Sequence, residues 1–456
     1  MLLKAIKFKK LMQNNGIIVI GAGISGLSIG ILLSRLGYRV TIFEKRPIIY
    51  SELYDERSIN FTISQRGLNS LIEIGIDKDV LSKACQLDFR CVHNAHGKTD
   101  FHYYDIRNNI KNNLWSIKRS DLLYCLYKKA IETNIVIHFD RKLVDIDFAK
   151  NTAYFISKEK NKIFKQDFVF VIGADGSFSD VSKIIIPYTQ ANYSVNFFPW
   201  QYCRVSIDAE DSASLKLANN GLHIWPGQRS IIFGLPNLDF TVSCMICFKK
   251  SDAEINKSDI KQYLLDSVRS DFSYLLKYNS FLTNLNNIQK SSSMVTTYLS
   301  QWFFEKKIVL LGDACHSVFP FYGQGMNIAL EDCLVLYNRL KNNTSNIKEN
   351  FQKYESLQKL NAHALSKLSE EHFNILSNKI SSSFYKAKIA VDNFLSSILG
   401  NKWLNEHSLV TNGHVNFKKI NKILKIRRLI RWCSGIFIIE LAIGCYFFIG
   451  KIFNRL

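Results

Sequence analysis

Four short apolar runs, each able to form a buried strand and each closing on a glycine or an acid, set the frame of this chain. Residues 16–20 (Gly-Ile-Ile-Val-Ile) lead into Gly21, and the apolar stretch Leu27 to Leu36 behind them predicts a helix. Residues 37–43 read as a second strand ended by Glu44. Asp167 to Ile172 reads as a third, and Lys307 to Leu311 as a fourth, with an apolar helix from Met326 to Leu336 beyond it. Strands alternating with helices in this way predict a parallel sheet in an α/β domain. A different pattern, Leu222 to Trp225, Ser230 to Gly234 and Phe240 to Phe248, predicts a strand-rich second domain. From about residue 346 the pattern is helical.

The predicted organisation is therefore a discontinuous Rossmann-like domain over about 1–80, 112–185 and 300–345. A β-sheet domain covers about 81–111 and 186–299, a helical region 346–415, and a basic, apolar tail 416–456.

The residues between strands carry the candidate chemistry. Gly21-Ala-Gly23-Ile-Ser25-Gly26 sits between strand and helix, where Gly21 can make the turn, Gly23 can admit a pyrophosphate and Gly26 can let helix and sheet approach. Glu44, eighteen residues beyond Gly26, ends the next strand where an acid can bind ribose hydroxyls. Asp175–Gly176 follows the third strand. Gly312–Asp313 follows the fourth, and the run continues through His316, Pro320, Gly323, Gly325, Met326 and Asn327 to Asp332. Asp313 is placed to accept from a ribityl or ribose hydroxyl. The helix that starts behind Gly325 would aim its positive end at a flat ring on the glycines.

Composition changes this picture little. A net charge of +20 could suggest nucleic acid, but the lysines are dispersed and no nucleic-acid-binding signature appears. An anionic substrate, a phosphorylated cofactor or an acidic membrane surface accounts for the charge. Ten cysteines lie scattered without a disulfide framework, as in a reducing, cytoplasmic compartment. The pair Cys244 and Cys247 falls inside a strand-like run and reads as core, so no metal site is expected. The first fifteen residues are basic without an apolar core, unlike a signal peptide. Ile436 to Ile449 is almost wholly apolar, with basic residues from Lys418 to Arg431 before it and Lys451 and Arg455 after it. That arrangement predicts membrane association through the C-terminus.

Taken together, Gly21–Gly26, Asp175–Gly176 and Gly312–Asp313 resemble, in order and spacing, the para-hydroxybenzoate hydroxylase-like (class A) flavoprotein monooxygenases. One position departs: Lys183 stands where the middle motif usually ends in arginine. Within the family, Pro320 to Asn327 with Glu331-Asp332-Cys333, Arg57 to Asn60 with Arg66-Gly67, Ile224 to Pro226 and Leu235 to Asn237 resemble the branch acting on kynurenine.

The resemblance implies tightly but non-covalently bound FAD, NADPH and O2 as co-substrates, and hydroxylation of an aromatic amino acid through a flavin C4a-hydroperoxide. The reacting ring is activated by its own amino group, so no acid or base is required. Among the family's residues, Arg90 and Tyr104 match a carboxylate-binding pair, Arg119 matches a neighbour of the flavin, and Phe321, Tyr322 and Gln324 match loop residues facing the substrate ring. Two further carboxylate contacts, an asparagine and a tyrosine, align with His372 and His407. These replacements leave another aromatic acid or a quinolone-like ring open as substrate. A membrane-associated flavin-fold binding protein without turnover is the alternative of a different class.

Overall fold

Ile17–Ile20 is buried on both faces, as a central strand of a parallel sheet must be. In the computed structural model, which describes residues 16–47, 60–104, 114–249, 259–343, 346–378, 382–399, 403–404, 406–411 and 415–430, it lies inside a six-stranded sheet. The order is Phe303–Phe304, Ile308–Leu310, Val171–Gly173, Ile17–Ile20, Val40–Phe43, Val136–His138. All pairs are parallel except the first. Helix Ile24–Arg35 packs on this sheet between helices Arg119–Glu132 and Gly325–Asn342.

The expected strand Asp167 to Ile172 proves to be two elements. Asp167 ends the antiparallel ribbon of Lys142–Asp147, Thr152–Ser157 and Lys162–Asp167, where it accepts a 2.6 Å hydrogen bond from Thr152 Oγ1. Phe168 and Phe170 then bury themselves in the crossing, and only Val171–Gly173 joins the parallel sheet. A continuous apolar run hides such a change of sheet.

The second large sheet has seven strands: Ser292–Leu299, Tyr193–Ile207, Val242–Lys249, Ser230–Pro236, Gly221–Pro226, Phe89–His93 and Thr99–Tyr103. Chain near residue 90 and chain beyond residue 190 thus share one sheet, through a parallel pairing of Phe89–His93 with Gly221–Pro226. Alternation along Val242–Lys249 separates its two cysteines. Cys244, Ile246 and Phe248 join the core under helix Asp259–Phe272, whereas Met245 and Cys247 face the cluster that contains Phe319, Phe321 and Phe373. Two cysteines on opposite faces cannot chelate one ion, and among the described residues no group of metal ligands occurs.

A three-stranded sheet of Phe61–Ile63, Trp115–Ile117 and Cys85–Gln86 stands between the large sheets. Helices Ile347–Asn378, Ser383–Leu399 and Glu406–Thr411 follow, and residues 417–430 are helical. Phe417, Ile420 and Leu424 are fully buried, so this first part of the tail is packed onto the body. The apolar run Ile436 to Ile449, like Arg57, lies outside the described residues. No helix among the described residues is long and apolar enough to cross a membrane.

Two buried histidines share a hydrogen-bonded chain in the second sheet. Thr99 Oγ1 lies 2.9 Å from His93 Nδ1, His93 Nε2 lies 2.9 Å from His223 Nδ1, and His223 Nε2 lies 3.0 Å from the Ala218 carbonyl oxygen. The carbonyl must accept, so each ring donates once and accepts once, and both are neutral. His93 also stacks on Trp225, ring centroids 4.4 Å apart. Burial, then the neighbouring His223, pushes His93 down to about 3; burial pushes His223 down to about 4. Their contribution to stability is complete above the ordinary value of 6.5 and is lost as pH falls toward 4, because the unfolded chain takes up the protons first. The unfolding free energy is expected to fall with acid across that window by up to about 1.4 kcal/mol per pH unit per histidine. Urea melts from pH 7 to 4 should show a shallower slope for the His93→Gln, His223→Gln double variant. Parallel slopes would refute the assignment.

Candidate active site

The glycine-rich turn after Ile17–Ile20 has little freedom. A Cβ on Gly26 would lie 1.8 Å from the Gly21 carbonyl oxygen, so only glycine lets helix Ile24–Arg35 start this close to the turn. A Cβ on Gly23 would meet nothing within 4 Å: the space beside it opens into the main cleft. No side chain caps this helix at Gly23, which leaves its first amide groups free for an anion in the cleft.

Glu44 is buried at the end of Val40–Phe43, and its oxygens are already engaged. They accept from the Ala22 amide at 2.8 Å, the Arg46 amide at 3.0 Å and the Arg46 guanidinium at 2.8 Å. Burial pushes its carboxyl up, but Arg46 and the two amides outweigh that and hold it below the usual range. A ribose reaching Glu44 has to share it with Arg46. Asp175 is committed as well: it accepts from Ser179 Oγ at 2.5 Å and from the Asp180 amide at 2.7 Å, at the start of helix Asp180–Thr189. Lys183 points to solvent beside Asp180. Gly176 and Ser177 line the cleft in this motif.

The cleft, about 470 Å³, runs from Gly23 and Ser25 past Arg119 and Asp313 to Arg90 and His372. Gly312 adopts φ 58°, ψ −138°, a turn that sets Asp313 open to the cleft. Arg119, at the start of its helix, faces it; burial, then the Arg46 charge, lowers its guanidinium, while Asp313 opposes the shift. Pro320, Phe321, Tyr322, Gly323, Gly325 and Met326 all line the cleft. Asn327 and Gln324 do not. Asn327 is buried and clamps the loop from behind: Oδ1 accepts from the Ser64 amide at 2.9 Å, and Nδ2 donates to the carbonyls of Thr62 and Gly323 at 2.8 and 2.9 Å. Gln324 Oε1 accepts from Ser64 Oγ at 3.1 Å. A Cβ on Gly323 would collide with Thr62 Oγ1 at 2.2 Å, so the loop lies flat against that strand.

At the far end the wall is aromatic. Phe321 packs on Phe373 with centroids 4.2 Å apart, and Phe198 meets Phe373 edge-on at 4.8 Å. Beyond them lies Arg90, on strand Phe89–His93, only 8% exposed. Among the described residues no carboxylate lies within ion-pair distance of it, and its Nε has no hydrogen-bond partner. Its neighbours are rings instead: the Tyr104 ring centroid lies 5.7 Å from its Cζ, and His372 Nε2 3.4 Å from its Nη2. Burial pushes the Tyr104 hydroxyl up, with Arg90 opposing.

His372 and His407, which come from separate helices, both reach Arg90's end of the cleft. His372 stacks on Tyr322 at 4.0 Å and His407 on Tyr104 at 4.4 Å. Burial, then the Arg90 charge, lowers His372 to about 3 and holds His407 well below the ordinary value, so both are neutral at pH 7. One group went unnoticed in the sequence. Glu406 accepts from the Tyr322 hydroxyl at 2.8 Å and from Lys388 at 3.1 Å. No local motif marks it.

This geometry fits what known proteins share with the chain. Residues 15–364 match the family described as FAD binding domain. Kynurenine 3-monooxygenase of Christiangramia forsetii is 28% identical over 407 residues, covering 88% of this chain and 89% of the relative. The enzyme of the same name from Salinispora arenicola is 29% identical over 401 residues, 87% of both chains, and that from Dictyostelium discoideum 26% over 416. Among solved structures, 2-methyl-3-hydroxypyridine-5-carboxylic acid oxygenase superposes with a TM-score of 0.64 at 17% identity, over 82% of this chain and 96% of that one. Tetracycline destructase Tet(51) gives 0.63 at 19%, over 87% and 98%. The chain belongs to the FAD binding domain family, with the fold of the flavoprotein hydroxylases. More particularly, it is an FAD-dependent monooxygenase resembling the kynurenine 3-monooxygenases along nearly nine-tenths of their length.

Two glycine variants separate fold from cofactor. Gly26→Ala should lower the melting temperature by several degrees even in flavin-stripped protein, since a backbone oxygen must move. Gly23→Ala should melt like the native apoprotein yet bind FAD at least about tenfold more weakly. Normal FAD affinity in Gly23→Ala would show that the pyrophosphate lies elsewhere.

Proposed function

We propose that the protein hydroxylates L-kynurenine to 3-hydroxykynurenine, consuming NADPH and O2, as a step of tryptophan degradation. The observation that carries this reading is Arg90: a buried guanidinium, without a carboxylate partner among the described residues, at the end of an aromatic cleft. A buried charge is costly unless paired, and a ligand carboxylate supplies the missing partner.

In this reading the FAD lies along Gly21, Gly23, Ser25, Gly26 and Glu44, past Arg119, Asp175 and Asp313, to the loop Pro320–Met326 that Asn327 clamps. The open space at Gly23 and the accessible carboxylate of Asp313 suit its pyrophosphate and ribityl chain. Bound FAD supplies the redox chemistry, taking electrons from the nicotinamide and activating dioxygen. The chain's own task is to orient and to keep water out. Arg90 and Tyr104 hold the carboxylate, and the neutral rings of His372 and His407 offer N–H donors in place of the family's asparagine and tyrosine. Phe321, Tyr322 and Phe373 confine the aniline ring. No described side chain has to act as acid or base, since the amino group activates its own ortho carbon.

Purified flavoprotein is expected to oxidise NADPH faster with L-kynurenine than without, yielding a hydroxylated product by mass. Arg90→Ala should keep its flavin but lose about 1.5–3 kcal/mol of substrate binding, roughly tenfold to a hundredfold in Kd. Arg90→Lys should recover only part, because an ammonium lacks the planar fork. Unchanged substrate affinity in flavin-replete Arg90→Ala would return the substrate class to question.

A peripheral membrane role for the tail forms part of the same proposal. Ile426, Leu429 and Ile430 are exposed on the basic helix 417–430, immediately before the apolar run. Phe417, Ile420 and Leu424 belong to the core, so the informative truncation falls after residue 430. The full chain should sediment with membranes and the truncated one should not; equal distribution would dismiss the idea.

A further inference from the structure

A second, smaller void lies behind Arg90. It measures about 60 Å³ and is walled by Arg90, Tyr104, Lys388, Asp392, Glu406 and His407, among others. Arg90 and His407 also line the main cleft, so the two spaces meet at the guanidinium. On the same measure a single water needs only about 10–15 Å³, so the void has room for an ammonium group with water beside it. Its wall carries two cations, Arg90 and Lys388, and two carboxylates, Glu406 and Asp392, and so is balanced before any ligand enters. A bare carboxylate placed there would leave the wall and ligand with excess negative charge. A zwitterion keeps the balance.

We propose that this void selects substrates carrying an α-amino group as well as a carboxylate, with Glu406 accepting the hydrogen bond from the ammonium. The inference rests on the kynurenine reading and assigns the half of the amino acid that Arg90 leaves unread. Glu406 has the capacity. Oε1 accepts from the Tyr322 hydroxyl at 2.8 Å and Oε2 from Lys388 at 3.1 Å, leaving one acceptor position on each oxygen. Burial pushes its carboxyl up, but Lys388, His372 and Tyr322 outweigh that and hold it at about 2, so it remains an anion at physiological pH. Tyr322 stands in the wall of the main cleft and couples the two spaces: its ring stacks on His372 and its hydroxyl orients Glu406. A ligand carboxylate on Arg90 and its ammonium toward Glu406 would use both halves of the head group, since both residues line this one void.

The test compares two ligands on flavin-loaded protein, by the change in flavin absorbance on titration. One is L-kynurenine; the other is the same molecule with hydrogen in place of the α-amino group. Native protein should bind kynurenine at least about tenfold more tightly than the analogue, as one charge-assisted hydrogen bond provides. In Glu406→Gln the preference should fall below about threefold, and Glu406→Asp should retain an intermediate preference. Equal affinity of native protein for the two ligands would overturn the proposal, as would an unchanged preference in flavin-replete Glu406→Gln. Should Glu406→Gln fail to hold flavin, the native ratio and Glu406→Asp still decide. A flavin-loaded native protein that binds neither ligand would overturn the kynurenine reading itself; kynurenine binding without preference would overturn the role of Glu406 alone.

Discussion

The carboxylate of Asp332 has no access to water, and both of its oxygens must therefore be satisfied within the protein. Oδ2 accepts from the Gly312 amide at 3.1 Å and from His316 Nε2 at 2.5 Å; Oδ1 accepts from Gln358 at 2.9 Å. These three partners belong to the end of a central strand, the loop behind it and the long helix Ile347–Asn378. Burial works against a proton on His316, but Asp332 outweighs it and raises the imidazole. Next along the helix, Glu331 meets Arg66, whose other arm donates to the Val415 carbonyl at 2.9 Å. Two adjacent acids thus hold the Gly312 turn, His316, helix Gln65–Ile74 and the long helix Ile347–Asn378 in register. The direction of Asp313 into the cleft follows from that register.

Against this background of satisfied charge, Arg90 stands apart. Arg66 pairs with Glu331, Arg46 with Glu44 and Lys388 with Glu406. Arg90 has a tyrosine ring and neutral imidazoles against it, which stabilise a cation only weakly, and it faces Glu406 and Asp392 only across the small void, outside ion-pair distance. The protein keeps one buried positive charge at the end of an apolar cleft and suppresses the charge of the two histidines beside it. In the proposed reading this arrangement costs stability and readies the site for a ligand carboxylate.

Much of the backbone at the Gly21–Glu44 end was legible because its constraints are local. The turn at Gly21–Gly26 and the acid at the strand end are consequences of how a strand meets a helix. What the side chains do there was less legible. Asp175 looks like a ligand in the motif but caps a helix through Ser179, and Glu44 is shared with Arg46, a partner two residues away. Asn327 sits in the motif, yet its side chain joins the Gly323 carbonyl of the loop to the Thr62–Ser64 segment, which no pattern near Asn327 could reveal. At the substrate end, His372 and His407 lie on different helices and meet Arg90 only through the tertiary fold. Glu406, one residue before His407, carries no periodic or motif signal. In the tail, the spacing of Phe417, Ile420 and Leu424 marks a buried helix face, which the longer apolar run behind it obscured.

The central claim is that this cleft delivers an oxygen atom from dioxygen to the ring of an amino acid held by Arg90. The most direct measurement is the product mass after turnover of L-kynurenine with NADPH under heavy-isotope dioxygen. The account predicts 3-hydroxykynurenine bearing one heavy oxygen atom, in amounts that track the NADPH consumed. Unchanged kynurenine with NADPH lost to peroxide, or a product whose oxygen comes from water, would contradict it.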